Sequence, residues 1–153
     1  MRLYLSSFRM GDHPEHLVAL IGRDGRRSVV IANAMDDAPP DVRRAGVDRE
    51  LAALADLGVS AAELDLRDYA GQQGRLRQDL AGVSMAWLRG GNTFMLRDAL
   101  HRSGADDLFR ELLAADALVY AGYSAGEPSR IHTLRPRRRT RRALHRPRRR
   151  AGA

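Results

Sequence analysis

The sequence predicts an α/β fold built on a mainly parallel sheet, and two observations carry that prediction. Five short apolar runs punctuate the chain, at Leu3 to Leu5, Val29-Val30-Ile31, Leu64 to Leu66, Met85 to Leu88 and Leu118-Val119-Tyr120. Between them lie segments whose apolar residues recur at three and four, such as Val47, Leu51 and Leu54, or Leu108, Leu112 and Leu113. That is the period of a helix with one face laid on a sheet. Strands that alternate with helices pair in parallel, because each helix carries the chain back to the same end of the sheet.

Taken in order, the elements have local signals of their own. After the first strand, Asp12 and Glu15 form a capping-box pattern with Pro14 in the first turn, which places the start of helix one there. The second strand is separated by Pro39-Pro40 from a helix beginning near Asp41. That helix should end at Leu57, with Gly58 supplying the left-handed residue. The third strand is expected at Leu64 to Leu66. The fourth leaves through Gly90-Gly91 into a helix that Asn92 is placed to cap. Asp106 and Asp107 put negative charge on the first turn of the helix leading to Leu113. The fifth strand follows, and residues 1 to 126 contain no internal repeat.

At 153 residues and 44% apolar composition, the chain has room for one domain with a real core. It has no cysteine, which excludes disulfides, a thiol nucleophile and a thiolate metal site. The histidines show no ligand-like spacing, so a metal role is poorly supported, and no cofactor is expected. The N-terminal Met1-Arg2-Leu3-Tyr4-Leu5 lacks the unbroken apolar stretch of a signal peptide, and no run is long enough to cross a bilayer. The reading is a soluble, cytoplasmic protein without a membrane partner.

The net charge of +7 is unevenly distributed. Residues 1 to 129 hold 15 basic and all 19 acidic residues, whereas residues 130 to 153 hold 11 basic residues and no acid. Every basic residue is arginine. From Arg130 on, helical and strand periodicity are lost and no aromatic residue occurs, so residues 127 to 153 are expected to be a disordered Arg/Pro-rich tail. Arg135, Arg137 to Arg139, Arg141, Arg142, Arg146 and Arg148 to Arg150 could neutralise phosphates on nucleic acid. Such binding would be nonspecific and salt-dependent, with no aromatic side chains to stack on bases.

Two turns carry the candidate chemistry. In Gly122-Tyr123-Ser124-Ala125-Gly126, which follows the fifth strand, the glycines relieve crowding where strand meets helix while Ser124 presents its hydroxyl on a strained turn. The amide of Ala125 could then donate to the oxyanion of a tetrahedral intermediate. In Arg89-Gly90-Gly91-Asn92, exposed amides near Gly90 and Gly91 could complete that oxyanion hole. Each turn alone also suits an ordinary strand-to-helix connection. Together they lie at the carboxyl ends of neighbouring strands, where open α/β sheets bind ligands.

With the N-terminal strand and Ile31-Ala32-Asn33-Ala34, the segments Arg89-Gly90-Gly91-Asn92-Thr93-Phe94 and Ala121-Gly122-Tyr123-Ser124-Ala125-Gly126 resemble peptidase E, the family of α-aspartyl dipeptidases and related serine peptidases. The resemblance covers residues 1 to about 126. It implies a three-layer α/β/α fold similar to class I glutamine amidotransferases, and hydrolysis of dipeptides with an N-terminal aspartate. It also implies that Ser124 is the nucleophile and that Gly90-Gly91 lines the oxyanion hole, with Asn92, Gly122 and Gly126 in support. Arg89 stands where many members have a third glycine. Amidotransferase chemistry itself needs a cysteine, so that likeness is of fold.

A serine nucleophile needs a base, usually a histidine oriented by a carboxylate. The family draws both from beyond the elbow. Here nothing after Glu127 is acidic, and His132 and His145 lie among the arginines in no family-like context. His13, His16 and His101 are upstream and read as helix or helix-end residues. No catalytic histidine or acid is therefore assigned. The expectation is that codons beyond about Gly126 are read out of frame, or that the gene is a damaged fragment, so that the C-terminal strands are missing and catalysis is inefficient. Nothing in the sequence specifies an oligomeric state.

Overall fold

The computed structural model describes residues 1–22 and 27–123, and within them five strands form one parallel sheet. These are β1 (Arg2–Ser6), β2 (Arg27–Ile31), β3 (Ser60–Glu63), β4 (Met85–Leu88) and β5 (Val119–Tyr123), in the spatial order β1-β5-β4-β2-β3. Five helices connect or flank them: α1 (Pro14–Ile21), α2 (Pro40–Asp56), α3 (Gln73–Asp79), α4 (Thr93–Ser103) and α5 (Ala105–Ala114). The calls on Ser124, Ala125, Gly126 and the 127–153 segment lie outside the described residues.

Alternation along the central strands sorts the core into two layers, because successive side chains of a strand point to opposite faces. Val30, Met85, Trp87, Val119, Ala121 and Tyr123 pack with Leu17 and Ile21 of α1 and Leu54 of α2. Val29, Ile31, Ala86, Leu88 and Tyr120 face Leu76 of α3, Leu96 of α4 and Leu108, Phe109 and Leu113 of α5. The result is the parallel α/β sheet that the alternation of apolar periods predicts, in the three-layer α/β/α arrangement that the family resemblance implies. β4 and β5 are buried throughout, as strands covered on both faces must be.

Two local expectations need correction. The third strand is Ser60–Glu63, not Leu64 to Leu66: an edge strand bonded only to β2 draws its order from backbone pairing, so small and exposed residues suffice. The ladder runs on one step, Leu64 N–H donating to Val30 O at 2.9 Å, before Leu66 opens a short 3-10 helix ending at Tyr69. Buried Leu64 and Leu66 close the core beneath the sheet's end instead of forming its edge. The capping box at Asp12 does not form either. His13 occupies the N-cap without a side-chain cap bond, and Glu15 pairs with the His13 ring at 3.0 Å, so Pro14 alone marks the first turn.

Other signals hold. Gly58 adopts φ +74, and the bonds Gly58 N to Ala55 O (2.8 Å) and Val59 N to Leu54 O (2.9 Å) complete a Schellman end to α2. Asn92 caps α4, its side-chain oxygen accepting from Phe94 N at 3.0 Å.

Candidate active site

The chain moves outward from β2 to β3 and then returns to the other side of β2 as β4, so the sheet's switch point lies between β2 and β4. The segments leaving those strands are joined there. Arg89 N–H donates to Ile31 O (2.9 Å), Asn92 N–H to Ala34 O (2.7 Å) and Asn92 Nδ2 to Asp37 Oδ2 (2.7 Å). Gly91, at φ +157, leaves no room for a side chain, since a Cβ there would stand 2.5 Å from Ala34 O. Among the described residues, the amides of Gly90 and Gly91 have no acceptor.

One strand over, β5 runs beside β4 with Leu88 opposite Gly122. A Cβ on Gly122 would come within 2.5 Å of Leu88 O, so a glycine here lets the two backbones approach. The described chain of β5 ends at Tyr123, which pairs in register with Ser6 of β1. Of the sequence-predicted residues, Gly90, Gly91, Asn92 and Gly122 thus lie together on the exits of two adjacent strands. Ser124, Ala125 and Gly126 follow directly in sequence but lie outside the described residues.

Beside the end of β1 is a cleft of about 730 Å³, lined on one side by Phe8, Arg9 and His13 and on the other by Arg49 and Glu50 of α2. Tyr4 also lines it, its hydroxyl donating to Met10 O with His13 O nearby at 3.1 Å. His13 and His16 stack at 5.3 Å between ring centroids. Among the described residues, no group of three or more His, Asp or Glu is placed to hold a metal ion. No helix among them is long and apolar enough to cross a membrane.

Two polar clusters support the strand exits, and neither is evident from motif spacing. Arg43 of α2, 9% exposed, meets three carboxylates: Asp36 (3.0 Å), Glu63 (2.6 Å) and Asp65 (3.1 Å). Asn33 bridges the same group, donating to Asp36 and Asp65 and accepting from Leu66 N–H, which fixes the segment after β2. Burial alone would raise the Asp65 pKa, but bonds from Arg67 and Asn33 outweigh it and hold the carboxyl at about 2.

The second cluster centres on Glu50 of α2, 3% exposed. Trp87 Nε1 donates to its Oε2 at 3.0 Å and Tyr123 Oη to its Oε1 at 2.8 Å. Arg89 Nε stands 3.5 Å from Oε1 as a charge contact without a hydrogen bond, while Nη1 donates to Gly90 O at 3.3 Å. The Arg89 side chain lies over Gly46 of α2, where an added Cβ would meet its guanidinium at 2.9 Å. Arginine at the position before the diglycine is thus accommodated by a helix glycine and directed into the helical layer. The available signal was positional: Glu50 falls on the same stripe as Val47 and Leu54, where an apolar residue is the default.

Comparison with known proteins bears on family and fold. Residues 9–139 match the model of Peptidase family S51, a match that runs past Gly126 into the arginine-rich segment. An uncharacterized peptidase of Listeria monocytogenes is 40% identical over 74 residues, 48% of this chain and 35% of that relative. A 1.5 Å crystal structure of a candidate peptidase E protein, also from Listeria monocytogenes, superposes with a TM-score of 0.64 at 29% identity. That alignment covers 86% of this chain and 65% of the solved one, so the chain spans less than two thirds of either relative. With its parallel sheet, its diglycine exit and a family match over most of its length, the chain belongs to Peptidase family S51.

Proposed function

We propose that the chain is a serine-type peptidase of the cytoplasm, built to hydrolyse dipeptides with an N-terminal aspartate. Ser124 is its nucleophile, and the amides of Gly90, Gly91 and Ala125 form its oxyanion hole. The observation that carries this reading is the side-by-side exit of β4 and β5: Leu88 pairs with Gly122, so the diglycine turn and the residue before Ser124 leave the sheet next to each other. The Gly90 and Gly91 amides, without an acceptor among the described residues, are the donors such a site needs. Arg9, Arg49 and His13 along the neighbouring cleft suit an acidic substrate side chain.

Attack by the Ser124 hydroxyl on the scissile carbonyl requires its proton to pass to a base. These 153 residues supply no histidine and carboxylate in a family-like position after the elbow. Losing a triad base costs on the order of a millionfold in turnover, while oxyanion stabilisation and binding persist. The purified chain should therefore hydrolyse an aspartyl dipeptide at neutral pH no faster than its Ser124→Ala variant. It should still take up a fluorophosphonate slowly at Ser124, the Oγ–P bond forming as fluoride leaves and the hydroxyl proton passes to solvent. No label at Ser124 would refute the nucleophile assignment. Rapid turnover abolished by Ser124→Ala would refute the missing base.

A further inference from the structure

We propose that Glu50 is a positioning residue that locks the exits of β4 and β5 to one another, holding Tyr123 and Arg89, the residues just before Ser124 and Gly90, in one arrangement. The functional half of this inference rests on the serine-peptidase reading above. The β4–β5 register ends at Leu88 opposite Gly122, so Arg89 and Tyr123 are not paired with each other, although each is held on its far side, Arg89 N–H to Ile31 O and Tyr123 in register with Ser6. Glu50 acts where that pairing stops. Its two oxygens accept from Tyr123, which immediately precedes Ser124, and from Trp87, while its charge faces Arg89, which immediately precedes Gly90.

Filling space between α2 and the sheet would be served as well by an apolar side chain, as Leu54 does one turn further on. A carboxylate adds direction. Each oxygen accepts along a defined line, so the Trp87 and Tyr123 side chains have one satisfied arrangement, and a shift of either strand exit leaves a buried charge undercompensated. Gly46 belongs to the same device, since any side chain there would push the Arg89 guanidinium from its place beside Glu50.

The test compares Glu50→Gln and the milder Tyr123→Phe with Leu54→Ala, a buried change on the same helix that removes packing alone. Amide hydrogen exchange reads the peptides covering residues 86–92 and 119–126, and fluorophosphonate uptake reads Ser124. Glu50→Gln should raise exchange about tenfold in both peptides, with the other elements unchanged. It should slow labelling about tenfold to a hundredfold, the cost of misplacing reacting groups by roughly 1 Å. Tyr123→Phe should do the same more weakly, mainly in the β5 peptide. An even rise over the whole chain, as expected for Leu54→Ala, would overturn the proposal. So would a response in one exit alone, or unchanged labelling with both exits loosened. An unvaried chain that takes no label counts against the serine reading, and exchange then decides the link between the exits by itself.

Discussion

Tyr123 donates its hydroxyl proton to Glu50 Oε1 across 2.8 Å, which ties the residue before Ser124 to the middle of α2. Burial, with the hydrogen bond and negative charge of Glu50 adding to it, pushes the Tyr123 phenol up to about 12. Tyr4, Tyr69 and Tyr120 are also raised, each chiefly by burial. A raised folded-state value means that the neutral phenol stabilises the fold fully below the unfolded value near 10. That contribution is lost as pH rises through about 12 for Tyr123. Ultraviolet titration of the folded chain should show less phenolate at pH about 10 than the unfolded chain does, and Glu50→Gln should bring one tyrosine down. Full ionisation near 10 in a chain still folded by circular dichroism would contradict this.

The glycines of the two exits should respond very differently from a glycine elsewhere. At Gly122 and Gly91 a methyl group would meet backbone oxygens at 2.5 Å, and backbone cannot swing aside as a side chain can. Gly122→Ala and Gly91→Ala are each expected to cost about 1–3 kcal/mol or more by overpacking. Gly74 of α3 has open space around its Cβ direction, and Gly74→Ala should stabilise by about 0.5–1 kcal/mol through helix propensity. Urea denaturation of the three variants checks the sign in each case. A neutral Gly122→Ala would mean that β4 and β5 part easily.

How much of this was legible in the sequence depends on what kind of information a residue carries. The parallel sheet could be read from periodicity, because β2, β4 and β5 are buried on both faces and their apolar runs have no other use, while the two helical layers were implied by the family resemblance. β3 was misplaced for the complementary reason: as an edge strand it is held by backbone bonds to β2, which any side chains permit. The exits were visible because only glycine tolerates the approach to Ala34 and Leu88. Glu50 and Arg43 were not, since a charged residue on a helix is usually solvated, and only the fold shows that these face inward and meet partners 7 to 73 residues away in sequence.

The Arg43 cluster gives the chain an acid-sensitive joint. Asp65 falls from its ordinary 3.8 to about 2, so its ionised form stabilises the fold above pH about 4 and that stability is lost as pH falls through about 2. Asp65→Asn should remove this part of the acid dependence while lowering stability at pH 7 by about 1–3 kcal/mol. Arg43→Met should cost more, about 3–5 kcal/mol, because it strips a shared cation from three carboxylates at once. Denaturation midpoints between pH 7 and pH 2 distinguish the two. A wild-type curve that is flat between pH 4 and pH 2 would show that Asp65 is not held ionised.

The arginine-rich segment makes a prediction from charge alone. If its 11 arginines all engage phosphates of duplex DNA, the observed association constant should fall with salt along a log–log slope of up to about −10. Binding should be indifferent to sequence, because base readout needs side chains held in a groove and nothing in this composition offers that. Residues 1 to 126 carry 15 basic against 18 acidic residues, a net of −3, so a chain shortened to end at Gly126 should lose the interaction at 150 mM salt. Fluorescence anisotropy on a labelled duplex between about 50 and 200 mM salt measures both forms. Equal binding by the shortened chain would move the contact to the α/β body, where Arg9 and Arg49 at the cleft beside β1 would be the first residues to replace.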